Sequence, residues 1–322
     1  MRYRLEWMVC ASIAWTVPRL PRSVCIQFAE ALGSLAYHLD SRGRNVALAN
    51  LECAFKDRYT PEEREEIAKK SYRNFGRTFL DLFWAQRINQ DNWREYLTVE
   101  GDLETIERMK DVQGGVGLCI HWGNFELASL ALGFLGQGAT IVTETFKNPL
   151  LGPVFTNARE AAGHTIIPQE NAMLKMLRIV KKKGRVGLLI DLTFPPSQAT
   201  VAIDTFGGKM CVTFLHSVLA MRGDAALVPL HGEPQPDGRC RAIVDTPIVV
   251  PEGSTPQQIA QLCWNHFEPR ILEKPELWMW AYKHWRYRPA DAKPEDYPFY
   301  SNVSSKFDKL LKRQAAEAAM KG

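Results

Sequence analysis

Apolar residues recur at helical spacing along the first third of the chain. Val24, Phe28, Leu32, Leu35 and Leu39 share one face of a helix predicted over residues 22–40, and residues 44–54 predict another. Thr60-Pro61-Glu62-Glu63 is a start signal, a capping threonine followed by proline at the first helical position. It opens a long helix to about Gln86, whose buried side is expected to carry Tyr72, Phe75, Phe79, Leu82 and Phe83. From residue 97 the pattern changes to short apolar runs alternating with helical segments. Strands are expected near 97–100, 116–120, 139–144, 164–167, 185–190, 200–204, 225–232 and 239–246. Helices are expected near 102–110, 124–135, 149–162, 171–183, 211–222 and 256–273. Alternation of this kind implies an α/β fold, a sheet with helices on its faces. Glu233 to Gly238 reads as a hairpin-like turn between two strands.

The two ends of the chain differ from the middle. Arg2 and Arg4 precede an apolar run from Trp7 to Val17, which is shorter than the ~20 residues a bilayer-spanning helix needs. Pro18, Arg19, Pro21 and Arg22 interrupt it, and no small-x-small cleavage site follows. Two readings stand: an interfacial helix with arginines at the head groups, or a helix packed on the domain. At the other end, Ser304 to Met320 predicts a helix with Phe307, Leu310 and Leu311 on a short apolar face. Lys306, Lys309, Lys312 and Arg313 make its polar face basic, suited either to an anionic leaflet or to loose docking on the domain.

Composition narrows the function classes. Across 322 residues, 46% hydrophobic and 24% charged content belongs to a folded protein. A net charge of +4 does not argue for nucleic acid; it is compatible with anionic lipid head groups or an acidic carrier protein. The seven cysteines (Cys10, Cys25, Cys53, Cys119, Cys211, Cys240 and Cys263) form no C-x-x-C pair, which argues against a disulfide framework and a zinc site. No H-x3-H or H-E-x-x-H is present, so no metal is expected. No G-x-S-x-G elbow occurs either, which argues against a serine hydrolase.

The most informative segment is His121-Trp122-Gly123-Asn124-Phe125-Glu126. It follows the strand-like run Val116–Ile120 and precedes the helix-like run Leu127–Leu132. A histidine thus stands at a strand end, with a carboxylate in the first turn of the next helix. Folded back onto His121, Glu126 would fix its tautomer and stabilise its protonated form, as a general base requires. The backbone N–H groups of Gly123 and Asn124, at a helix start, are candidate donors to a developing oxyanion. Asp191 ends another strand and is read either as a site residue, hydrogen-bonding within the site or positioning His121 from the other side, or as a helix cap. Gly207 and Gly208 suggest either a loop close to substrate or a plain hairpin turn. Trp278, Trp280 and Trp285 fit an amphipathic rim at a lipid interface or a core cluster.

The hexapeptide resembles the H-x4-D/E block of the lipid A biosynthesis acyltransferases, within the wider glycerolipid acyltransferase superfamily. Five further blocks in matching order carry the resemblance. They are Arg44–Leu51 with Phe55; Asn148-Pro149-Leu150 with Arg159 and Gly163; Gly187–Asp191; Phe206–Lys209 with Thr213; and Pro275–Trp280 with Trp285. Asp191-Leu192, Thr205-Phe206 and Lys283-His284-Trp285-Arg286 depart from the pattern.

The resemblance implies a central mixed sheet flanked by helices, behind a helical N-terminal segment. Residues 1–40 would be membrane-associating helices, 41–300 the acyltransferase domain and 301–322 a basic amphipathic helix. It implies transfer of a fatty acyl chain from an acyl-carrier-protein thioester to a hydroxyl of a lipid A precursor, at the cytoplasmic face of the inner membrane. His121 and Glu126 would be catalytic. Arg159, Asp191, Gly123, Asn124, Gly207 and Gly208 would bind substrate, with Arg159 on a phosphate. Acyl carrier protein, a glycolipid acceptor and the membrane surface would be the partners, with no cofactor beyond the thioester. Two alternatives stay open: an acyl-CoA-dependent enzyme acting on another glycolipid or phospholipid, and an inactive lipid-binding homologue.

Overall fold

A computed structural model describes residues 1–102, 104–107, 114–143 and 147–319. The helix expected near 102–110, the end of the strand near 139–144, and Met320 fall partly or wholly outside those residues. Four helices form the N-terminal part: α1 (Arg2–Thr16), α2 (Arg22–Leu39), α3 (Ser41–Phe55) and α4 (Pro61–Trp84). The α4 start signal is realised as a reciprocal capping box between Thr60 and Glu63. A short α5 (Trp93–Tyr96) leads into the α/β part.

Its sheet has seven strands in the order β1-β9-β8-β2-β5-β3-β4. They are β1 (Leu97–Gly101), β2 (Gly115–Cys119), β3 (Thr140–Thr143), β4 (Thr165–Pro168), β5 (Val186–Leu189), β8 (Ala226–Pro234) and β9 (Cys240–Val244). All neighbours pair parallel except β8 and β9, whose antiparallel hairpin turns where Glu233–Gly238 predicts. Helices α6 (Phe125–Phe134), α7 (Gly152–Ala161), α8 (Ala172–Lys181), α9 (Leu215–Gly223) and α10 (Pro256–Glu273) complete the α/β part. Along β2, Val116 and Leu118 enter the core with Leu219, Trp264 and Phe267. Gly117 and Cys119 face the other way, onto a cavity.

Two expectations change. The segment expected as one helix over 211–222 is divided: β7 (Gly208–Thr213) pairs with β6 (Thr200–Thr205) before α9 begins. The run Met210-Cys211-Val212-Thr213 prefers the half-buried surface of a hairpin. Phe75 and Phe79 of α4 are largely exposed, and so are Val24, Phe28, Leu32, Leu35 and Leu39 of α2. These helices instead meet through small residues: a Cβ on Gly33 would sit 2.5 Å from the Tyr72 carbonyl oxygen, and one on Gly76 2.8 Å from that of Ala29. Close backbone approach selects the small face and leaves the large apolar face outward.

Of the two readings of the C-terminal helix, α11 (Ser305–Ala319), the structure shows docking on the domain. It buries Phe307 and Leu310 against Ala202 and Cys211, so its apolar face is occupied. Its Gln314 side chain accepts from the Ala202 N–H at 2.7 Å and donates to the Ala202 carbonyl at 3.0 Å, closing an edge of β6. Among the described residues no helix is long and apolar enough to cross a membrane. α1 buries none of its side chains.

Candidate active site

β2 and β5 lie side by side and parallel, with Val116 opposite Val186 and Cys119 opposite Leu189. Two residues beyond that last pair, at the carboxyl ends of the strands, stand His121 and Asp191. His121 Nδ1 lies 2.8 Å from Asp191 Oδ1, and the His121 backbone N–H donates to Oδ2 at 2.9 Å. Trp278 Nε1 donates to the same Oδ2 at 2.9 Å. Asp191 is fully buried.

An ionised carboxylate only accepts, so Nδ1 carries the imidazole proton and Nε2 presents a lone pair. Among the described residues Nε2 has no hydrogen-bond partner, and His121 lines the cavity. Burial disfavours both charged forms. At His121 the charge and hydrogen bond of Asp191 outweigh it, with a smaller push from Glu126, and hold the pKa above the ordinary imidazole value. At Asp191 the same pairing outweighs burial and holds the carboxyl below its ordinary range.

Glu126 therefore does not occupy the position expected of it. It lies at the second position of α6 and is gripped by Arg159 in the last turn of α7: Nε meets Oε2 at 2.9 Å, and Nη2 meets Oε1. The loop explains this. Gly123 has φ +59°, and a Cβ there would fall 1.9 Å from the Gly232 carbonyl oxygen, so the chain is pinned to β8 before α6 starts. Phe125 is the near neighbour of the imidazole, edge-on at 5.0 Å between ring centroids. Arg159 and Glu126 form a part-buried fork in the cavity wall, not a surface ion pair.

The other expected site residues separate. The Gly123 N–H donates to Leu277 O at 2.9 Å and the Asn124 N–H to Gly232 O at 2.8 Å, so neither is free for an oxyanion. The Asn124 side chain caps α6 by accepting from the Leu127 N–H. Gly207 is the second residue of a two-residue hairpin turn in which Phe206 also has positive φ; neither Gly207 nor Gly208 lines the cavity. Trp278, Trp280 and Trp285 are buried around Phe206 and form core, not a rim. Among the described residues no cluster of three His, Cys, Asp or Glu is placed to hold a metal.

A row of polar residues on α4, unnoticed in the sequence, holds the loop. Ser71, Asn74, Thr78 and Asp81 are spaced three, four and three apart and share a helix face. Ser71 donates to Trp278 O, and Asn74 donates to Leu277 O at 3.1 Å and Gly123 O at 3.3 Å. Thr78 donates to Gly123 O at 3.0 Å, and Asp81 accepts from Asn124 Nδ2 at 2.7 Å and from Arg22 at the start of α2. The spacing was the available signal: four polar residues on one stripe of the helix, flanked in its second half by Phe75, Phe79, Leu80, Leu82 and Phe83.

The cavity has a volume of about 980 Å³. One face of α6 (Phe125, Glu126, Ser129 and Leu132), the cavity side of β2 and β5, and Val228 and Leu230 of β8 line it. His121, Glu126 and Arg159 are among its polar lining residues, with Gln137, His164 and Arg185 further along, and most of the remaining wall is apolar. Such a space takes a flexible apolar chain with its polar end at the imidazole.

No curated protein matches this sequence. Residues 1–287 match the family described as bacterial lipid A biosynthesis acyltransferase, whose activity is acyl transfer in lipid A synthesis. Because that match covers residues 1–287, from the N-terminal helices through the strand-end histidine to Trp278, which donates to Asp191, the chain belongs to the bacterial lipid A biosynthesis acyltransferases.

Proposed function

We propose that His121 is the general base of an O-acyl transfer and that Asp191, not Glu126, is its partner. Nε2 of His121 takes the proton from a hydroxyl of the lipid A precursor. The oxygen attacks the thioester carbonyl, the C–S bond breaks as the ester C–O bond forms, and the imidazolium returns its proton to the leaving thiolate. Asp191 fixes the tautomer and stabilises the imidazolium between these steps. The observation that carries this reading is the 2.8 Å contact between Nδ1 and Oδ1 beside an apolar cavity. No enzyme nucleophile and no cofactor enter the reaction. The first-turn amides of α6 at Phe125 and Glu126, which have no intrahelical partner, are the donors nearest in sequence for the oxyanion.

The donor is an acyl thioester of acyl carrier protein, and the work site is the cytoplasmic face of the inner membrane. The outward apolar face of α2 and the exposed side chains of α1 support a membrane-surface seat. Six arginines against three carboxylates in residues 1–44 favour an anionic leaflet. The test is acyl transfer to a lipid A precursor in vesicles, with acyl-carrier-protein and CoA thioesters offered separately. Wild-type transfer that His121→Ala abolishes is the expected result. A His121→Ala protein that transfers at the wild-type rate would sink the reading, and exclusive use of CoA would replace the donor.

A further inference from the structure

Gly117 and Gly187 lie opposite each other in the β2–β5 register, in the middle of adjacent parallel strands. Glycine in a strand interior is unfavourable and calls for a reason. Neither has the positive φ that would require it. Backbone crowding does not require it either. A Cβ on Gly117 would meet nothing nearer than Val186 O at 3.7 Å, and one on Gly187 would meet only the Ile141 Cγ1 tip at 3.4 Å. The glycines at Gly123, Gly33 and Gly232 differ, since a Cβ there would press into backbone at 1.9 to 2.5 Å. Both Gly117 and Gly187 line the cavity, on the strand face that also carries His121.

We propose that this glycine pair is the passage through which the donor's alkyl chain runs, and that its bareness sets which chain lengths the enzyme accepts. The inference rests on the acyl-transfer reading above. Gly117 and His121 are four positions apart, as are Gly187 and Asp191, so the pair lies roughly 13 Å along the strands from the reacting end. An extended alkyl chain with bonds of about 1.5 Å near 111° advances roughly 1.25 Å per carbon. The chain therefore crosses the pair near its tenth carbon (~13 Å divided by ~1.25 Å). Beyond it the cavity continues to Gln137, just past the far end of α6, a buried amide with no hydrogen-bond partner among the described residues. Side chains at Gly117 or Gly187 would close the passage and leave the imidazole end untouched.

The experiment compares wild type with Gly117→Ala, Gly117→Val and the double variant Gly117→Ala/Gly187→Ala. Two readouts are taken across saturated chains from octanoyl to hexadecanoyl: transfer from acyl-carrier-protein thioesters, and displacement of a fluorescent fatty acid by free fatty acids. The variants are expected to keep octanoyl transfer near the wild-type rate and to lose at least about tenfold on tetradecanoyl, a cost of the size overpacking brings. Fatty-acid affinity should stop rising with length near ten carbons. Melting temperatures should hold or rise in the alanine variants, because alanine is the better strand residue. Chain-length profiles that match wild type in both readouts overturn the inference. Truncated binding without transfer by any form supports the passage and overturns the acyl-transfer reading instead.

Discussion

Two carboxylates stand near the imidazole of His121, and they belong to different parts of the fold. Asp191 hangs from the end of a central strand and is fully buried, and both of its oxygens accept from groups fixed by the sheet and its adjoining loop. Glu126 projects from a helix start and is matched to an arginine on a second helix. A strand end locked by neighbouring strands cannot shift without breaking their register. A fork between two helices can slide with them. The first arrangement suits a group that must hold an imidazole in one tautomer, and the second suits a wall that meets substrates. The comparison teaches that closeness in sequence to a strand-end histidine is a poor guide to which carboxylate bonds it.

The largest effect belongs to the residue both carboxylates surround. His121→Ala should lower kcat about a thousandfold, the loss of a positioned base, with the fold intact by circular dichroism. The comparison is then tested by two matched substitutions. Asp191→Asn keeps shape and hydrogen-bonding capacity but not charge, and should cost about a hundredfold in kcat, because the tautomer and the imidazolium both lose support. Glu126→Gln should cost about tenfold, appearing mainly in KM, as Arg159 loses its fork and the wall loosens. Equal losses in the two, read as kcat and KM separately, would dissolve the distinction. A larger kcat loss at Glu126 would reverse it.

What the sequence displayed follows from which interactions are local. The strand, the turn at Gly123 and the helix after it are written in consecutive residues, and they form as expected. Asp191 was visible as a strand end, but its bond to His121 depends on β2 lying beside β5 in a particular register, seventy positions away. Periodicity names the cavity face of each strand and not its neighbour. The same gap explains α2 and α4. Apolar spacing marked Phe28, Leu32, Phe75 and Phe79, yet the buried face is the one with Ala29, Gly33 and Gly76, because two helices in close contact have no room for phenylalanine. At Phe206-Gly207 a plain hairpin won, because two consecutive positive φ values supply a tight turn for β6 and β7.

A smaller effect separates support from packing beneath the loop. Thr78 gives one hydrogen bond to Gly123 O and is itself buried. Thr78→Val keeps the volume and removes the donor, whereas Thr78→Ser keeps the donor and removes a methyl group. If the α4 row positions the His121 loop, Val should lower kcat severalfold with KM unchanged, and Ser should sit near wild type. If the row only packs, the order inverts. A severalfold kcat loss in Val and none in Ser would place α4 with Asp191, among the groups that hold the imaginary line from strand end to substrate.

The smallest effect is a displacement in pH, and its sign is fixed by the pairings. Transfer needs neutral His121, so the rate rises with pH through the imidazole pKa. Asp191 chiefly, and Glu126 to a lesser degree, hold that pKa above the ordinary value near 6.5. Removing either negative charge lowers it, so the acid limb should move to lower pH in both variants, further in Asp191→Asn than in Glu126→Gln. Stability should follow the same pair. The raised imidazole pKa favours the folded state fully below the unfolded imidazole value, and that contribution is lost as pH rises through the folded one. The depressed Asp191 pKa favours the folded state above the unfolded carboxylate value, and that contribution is lost as pH falls through the folded one. The charged pair is therefore most stabilising at mildly acid pH, between the two unfolded values. There the melting-temperature gap between wild type and Asp191→Asn should be widest, while Glu126→Gln should show a narrower gap. A Glu126→Gln limb displaced further than that of Asp191→Asn would return the carboxylate role to the helix.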